Sequence, residues 1–206
     1  VVLADIESRG GEDTADEIVH TGGSAHFQAT DVRIEDDCQR AAEAAVRQFG
    51  GLDVLVNNAG VGDFGKRLHE MGDAAWAHVL DVNVTGVFRL TRAVIPEMLK
   101  QAGGSIVNIS SVASLVGIPL LSAYAASKGA LDALTRSIAI DYATDGIRCN
   151  VVNPGLIDTP MAAPLMANSE QLGSILSHYP IRRAGKPEEV ASMVLYLASD
   201  ESAWVT

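Results

Sequence analysis

Short apolar runs alternate with helical patterns along this chain. "VVLAD" at 1–5 has the look of a brief buried strand, and "GEDTADEIVHTGG" at 11–23 predicts a helix ending at glycines. "AHFQATDV" at 25–32 follows as a strand. Residues 35–50 carry acids at the start, alanines through the body and a terminal glycine, which predicts a helix whose first turn suits the helix dipole. "LDVLVNN" at 52–58 predicts a strand, and the stretch from 73 to about 101 a long helix that Pro96 can kink. "GGSIVNIS" at 103–110 is a strand, 121–144 a helix, "IRCNVVNPG" at 147–155 a strand and loop, and 187–199 a last helix. Strands alternating with helices predict an α/β fold, a parallel sheet with right-handed crossovers and helices on both faces. No repeat, linker or low-complexity segment divides the chain, so a single domain over 1–206 is expected.

Composition narrows the function. With 48% hydrophobic and 20% charged residues among 206, the chain has the make-up of a soluble globular protein. No apolar run is long enough to span a bilayer, and the N-terminal run is too short for a signal peptide. The two cysteines, Cys38 and Cys149, form no metal or disulfide pattern and suit a reducing cytoplasm. A net charge of −11 argues against nucleic acid and anionic membranes as partners.

In open parallel sheets, ligands bind beyond the carboxyl ends of the strands. Asp5, Asp31, Asn57 with Asn58, Ser110 with Ser111, and Asn153 all directly follow apolar runs. Any one of them is equally well a turn residue; five in register are harder to dismiss. "YAASK" at 124–128 places a phenol and an ammonium on one helix face, one turn apart, with small residues between.

"NNAG" at 57–60, "SIVNISS" at 105–111, "YAASK" at 124–128 and "NPG" at 153–155, in this order, resemble the short-chain dehydrogenase/reductase family. So do the Ser111-to-Tyr124 spacing and "DVNVTGVF" at 81–88. The resemblance covers essentially the whole chain. It implies a Rossmann-like doubly wound sheet and hydride transfer between a nicotinamide cofactor and an alcohol or carbonyl. Tyr124 would be the general acid in reduction and base in oxidation. A phenol's ordinary pKa of about 10 is high for that task, and Lys128 beside it would lower it. Lys128 would also bind the nicotinamide ribose, Ser111 would orient the substrate oxygen, and Asn83 would hold a relay water or brace a helix kink. Asp5 would meet the adenosine ribose hydroxyls and favour NAD(H) over NADP(H), with Arg9 nearby as the contrary signal. Asp31 and Val32 would line the adenine pocket. Asn57, Asn58, Ala59 and Gly60 would approach the adenosine ribose and also stabilise the sheet, and Pro154, Gly155, Ile157 and Thr159 would hold the nicotinamide amide. Family members pair helices like 73–101 and 121–144 between subunits, so a homotetramer or dimer is expected.

The family's first strand and glycine-rich turn have no counterpart here, and the chain stops before the usual last strand. By domain size, about 30 residues are expected at the front and fewer at the back. Either a longer enzyme contains these residues, or the strands close up or borrow a strand, with weak cofactor binding and little turnover. Two rivals stand beside an alcohol dehydrogenase. One is a 3-oxoacyl-carrier-protein reductase-like enzyme using NADPH, and the other a non-catalytic nucleotide-binding scaffold. The segment 156–186 would cover the substrate, and its Met161, Leu165, Met166 and Leu172 suit an apolar one or simply pack the lid.

Overall fold

The computed structural model describes residues 1–206. Five parallel strands are present: β1 (Val2–Asp5), β2 (His26–Ala29), β3 (Val54–Asn57), β4 (Gly104–Ile109) and β5 (Ile147–Val152). The larger helices are α1 (Ser8–His20), α2 (Glu35–Phe49), α3 (Asp73–Leu80), α4 (Val87–Lys100) and α5 (Ser122–Tyr142). They are followed by α6 (Ala163–Met166), α7 (Ser169–Leu176) and α8 (Pro187–Ala198). The alternation read from the sequence is therefore present, and the architecture is a Rossmann-like α/β fold.

The strands form two hydrogen-bonded groups, β1–β2 and β3–β4–β5. β1 pairs with β2 from Val2↔His26 to Asp5↔Ala29, and β4 lies between β3 and β5. The edge of β1 away from β2 and the edge of β3 away from β4 pair with no strand. Val54 and Val56, alternate residues of β3, stay 40% and 39% exposed, because nothing covers that face of the strand.

The opposite face is the packed one. Period-two alternation puts Leu55 and Asn57 of β3 beside Ile106 and Asn108 of β4 on one side. Helices α2, α4 and α5 close over it with Cys38, Ala41, Leu90, Val94, Met98 and Ile138. The small residues of α2 let it lie close, its acidic first turn stabilises its N-terminus, and Gly50 at φ 85° ends it. Burial pushes the Cys149 thiol up to about 12, as suits an inert core residue.

One expectation changes and another gains detail. The long helix predicted from 73 carries Pro96 inside α4 without ending there. It is interrupted earlier, by a wider π turn over Asp81–Gly86. There Gly86 lies so close to Val32 that a Cβ would stand 2.6 Å from the valine side chain. Asn57, read as approaching the ribose and stabilising the sheet, turns its side chain into the core and does the second. Its amide donates to Asn108 Oδ1 at 2.8 Å and Thr91 Oγ1 at 3.1 Å, and Asn108 donates to Thr135 Oγ1 at 2.8 Å. Four buried polar side chains from β3, β4, α4 and α5 thus satisfy one another across the sheet face. Removing the centre of this network, Asn108→Ala, should destabilise the fold by about 2–4 kcal/mol, since two partners lose their bonds and a cavity opens. Urea unfolding at neutral pH measures it, and a change under about 0.5 kcal/mol would mean the network contributes little.

Candidate active site

The carboxyl ends of β3, β4 and β5 meet the N-terminal turns of α5, and the candidate chemistry collects there. β4 ends at Ile109. Ser110 is buried and donates its hydroxyl to the Lys128 carbonyl at 3.1 Å. Ser111 is half-buried and caps the following turn, accepting from the Ala113 N–H at 3.1 Å. The Ser111 side chain lies near enough to the Tyr124 phenol to favour its ionised form. Of the two adjacent serines, then, only the second has its hydroxyl at the phenol.

Lys128 follows Tyr124 by one helical turn and is only 4% exposed. Its ammonium donates to the Ile109 carbonyl at 2.7 Å and stands 5.6 Å from the centre of the Tyr124 ring. Burial pulls Lys128 from 10.5 down to about 8, with Asp132 opposing. Burial also pushes the Tyr124 phenol up, with the Ser111 side chain opposing. The expected lowering of the phenol by Lys128 is not a property of the chain by itself. The ammonium is directed at a backbone carbonyl, and desolvation of the ring dominates.

Asn83 lies in the π turn, fully buried. Its side-chain oxygen accepts from Val61 N–H at 2.8 Å, and its amide donates to the Val61 carbonyl and to Ser127 Oγ, each at 2.9 Å. The helix irregularity is therefore braced by side-chain bonds that fix the loop after β3 to α5. Gly60 precedes that clamp, and a Cβ there would sit 3.5 Å from both Lys128 Nζ and Asn83 Oδ1.

The remaining predicted residues fall into three places. Asp5 is exposed at the end of β1 and accepts from the Glu7 N–H at 2.9 Å; with Asn58 it lines a cleft of about 320 Å³. Ala59, next in sequence, is exposed. Asp31 is tied to Arg33 at 2.6 Å, whose guanidinium holds the carboxyl below its usual value, and Val32 faces Gly86. Beyond β5, the Pro154 carbonyl accepts from Val112 N–H at 2.9 Å. Tyr179 lies over Gly155, where a Cβ would meet its ring at 2.7 Å, and accepts from Leu156 N–H at 2.9 Å. Ile157 bridges to Gly185, and the Thr159 hydroxyl donates to the Ile157 carbonyl at 3.4 Å.

The sequence reading passed over two residues here. Phe64 packs on Tyr124, with ring centroids 6.0 Å apart, and a lone aromatic in a loop gives no sequence signal. Asp132 lies buried one turn past Lys128, and its i+4 spacing was the available clue.

The donors present suit a nicotinamide dinucleotide. A buried ammonium faces an open glycine, and an exposed carboxylate stands at a strand end. No group of three or more His, Cys, Asp or Glu side chains is placed to hold a metal ion.

A family model described as Enoyl-(Acyl carrier protein) reductase matches residues 1–206. The 2-(R)-hydroxypropyl-CoM dehydrogenase of Xanthobacter autotrophicus is 45% identical over 177 residues, which are 85% of this chain and 71% of that protein. The cyclohexanol dehydrogenase of an Acinetobacter species is 39% identical over 206 residues, all of this chain and 80% of that protein. A solved NAD+-bound xylitol dehydrogenase is 30% identical and superposes with a TM-score of 0.93 over 100% of this chain and 84% of its own. With a family match along the full chain and a parallel α/β fold that carries Ser111, Tyr124 and Lys128 together, the protein belongs to the short-chain dehydrogenase/reductase family.

Proposed function

We propose that this chain is an oxidoreductase that moves a hydride between NAD(H) and a secondary alcohol or ketone. The observation that carries the reading is the convergence of the Ser111 hydroxyl, the Tyr124 phenol and the buried Lys128 ammonium at the end of β4. NAD(H), when bound, supplies the hydride donor or acceptor. Ser111 hydrogen-bonds the substrate oxygen and holds it beside the phenol. Tyr124 gives that oxygen a proton in reduction and removes it in oxidation. Lys128 and Asp5 hold ribose hydroxyls at the two ends of the cofactor, and Asp5 disfavours a 2′-phosphate. Phe64 packs on Tyr124, and Leu115, Val116, Ile118 and Leu120, in the segment that joins Ser111 to Tyr124, are exposed apolar side chains; together they favour an apolar substrate. Phe88 and Ile140, exposed on α4 and α5, suit pairing with a second copy. One domain accounts for all of it.

Tyr124→Phe should lower turnover by about 10²–10⁴-fold while leaving the circular dichroism spectrum unchanged. Cyclohexanol and short secondary alkanols with NAD+ serve as the probes, read by nicotinamide absorbance. Undiminished turnover in the variant would overturn the assignment of Tyr124.

Fluorescence titration with NADH and NADPH should give tighter NADH binding, and Asp5→Ala should narrow that preference roughly tenfold, about 1.4 kcal/mol. Equal affinities in the unsubstituted chain would remove Asp5 as selector.

Lys128 also links stability to pH. Its folded value, about 8, lies below its unfolded value, 10.5, so between these pH values the unfolded chain binds more protons. Relative to Lys128→Met, stability should therefore rise with pH over that window, by up to about 3 kcal/mol. Chemical denaturation at several pH values reads the difference, and a flat difference would show that the lysine is not desolvated.

A further inference from the structure

We infer that Asp132 is a positioning residue that serves as the buried counter-charge of Lys128 and, through Asn153, holds the turn that carries Ser111. The assignment of roles to Ser111, Tyr124 and Lys128 is taken from the proposed function; the electrostatic pairing itself does not depend on it.

Asp132 is 6% exposed. One carboxylate oxygen accepts from Asn153 Nδ2 at 3.0 Å, and the other is buried with no hydrogen-bond partner. A buried carboxylate with a single hydrogen bond is costly unless a positive charge lies near. Tyr124, Lys128 and Asp132 occupy successive turns on one face of α5, and helical side chains lean toward the N-terminus, so the carboxylate covers the turn that carries Lys128. The ammonium has the complementary difficulty, being buried on one backbone carbonyl. Asp132 acts on Lys128 through space, without a close ion pair, and the direction of its effect is toward the charged form.

The same aspartate reaches the serine. Asn153 Nδ2 lies 3.0 Å from Asp132 Oδ2, 2.7 Å from Ser114 Oγ and 3.3 Å from the Ser111 carbonyl. Ser114 Oγ donates back to the Ser111 carbonyl at 2.7 Å. Val112 N–H is fixed on the Pro154 carbonyl at 2.9 Å. The turn that orients the Ser111 hydroxyl is thereby anchored to α5 through one amide whose position Asp132 sets. Neutral asparagine at 132 would still accept from Asn153, so hydrogen bonding alone does not require a carboxylate there. The charge is required by Lys128.

The groups facing Lys128 are few. On α5 they are Tyr124, whose ring centre is 5.6 Å from the ammonium, and Asp132; β4 presents the Ile109 carbonyl.

The test is a lysine titration in the full chain labelled with 13Cε-lysine. The sequence holds four lysines, Lys66, Lys100, Lys128 and Lys186, so Lys→Arg variants assign the signals. In folded Asp132→Asn, the Lys128 midpoint should fall by roughly half a pH unit or more, and Asp132→Glu should restore part of it. A Lys128 midpoint within about 0.2 units of the unsubstituted chain in folded Asp132→Asn would overturn the inference. Should that variant not fold, the pair can be read from the other side. The Asp132 13Cγ signal should step near pH 8 in the unsubstituted chain and lose that step in Lys128→Met. A step that persists, or none at the start, would overturn the inference as well. Neither experiment needs a substrate or cofactor, so failure of the oxidoreductase reading would appear only in turnover and failure of this one only in the titrations.

Discussion

A buried ammonium is the constraint around which this site is built. Water would solvate Lys128 far better than the end of a sheet does, and the depression of its pKa to about 8 expresses that cost. The surroundings offset it piecemeal. The Ile109 carbonyl is free to accept because β4 ends there, and α5 approaches closely enough to reach it because Ala123 and Ser127 are small and fully buried. Ser127 in turn is held by Asn83, and Asn83 fixes the loop after β3 through Val61. The irregular π turn and the compact face of α5 thus both bear on the surroundings of one buried charge.

That arrangement needs a rigid floor, which the polar network beneath it supplies. Asn57 and Asn108 are register partners on neighbouring strands, so their amides meet on the covered face without any shift of the ladder. Thr91 and Thr135 complete them from two helices. Apolar residues could fill the same volume, but they would not fix α4 and α5 at one rotation. A hydrogen-bonded set tolerates only one, and the site on α5 inherits that precision.

The order of elements and most of their boundaries were legible from periodicity and punctuation. Gly50 ends α2 where the sequence puts a terminal glycine, and the helix holding "YAASK" runs from Ser122 to Tyr142. The grouping of serine, tyrosine and lysine was legible through the family resemblance, and the structure brings the three together. What escaped depended on tertiary contact. Asn57 follows an apolar run just as a binding residue would, yet its alternation places it inward beside Asn108. The break at 81–86 has no proline to announce it and arises from Asn83 bonding across to Val61. The raised phenol of Tyr124 reflects how deeply the ring is covered, which no spacing reveals.

The raised phenol and lowered ammonium belong together. In the chain alone, burial drives both groups toward their neutral forms, the phenol upward and the lysine downward. Hydroxyls that accept from Lys128 would favour its ammonium, and positive charge brought to the cleft beside Tyr124 would favour the phenolate. The site is therefore poised rather than preset, with proton affinities that respond to what occupies it. A fully solvated tyrosine and lysine could not respond this way, because water would already screen their coupling. Half-burial of the phenol and full burial of the ammonium are what make occupancy and proton transfer parts of one equilibrium.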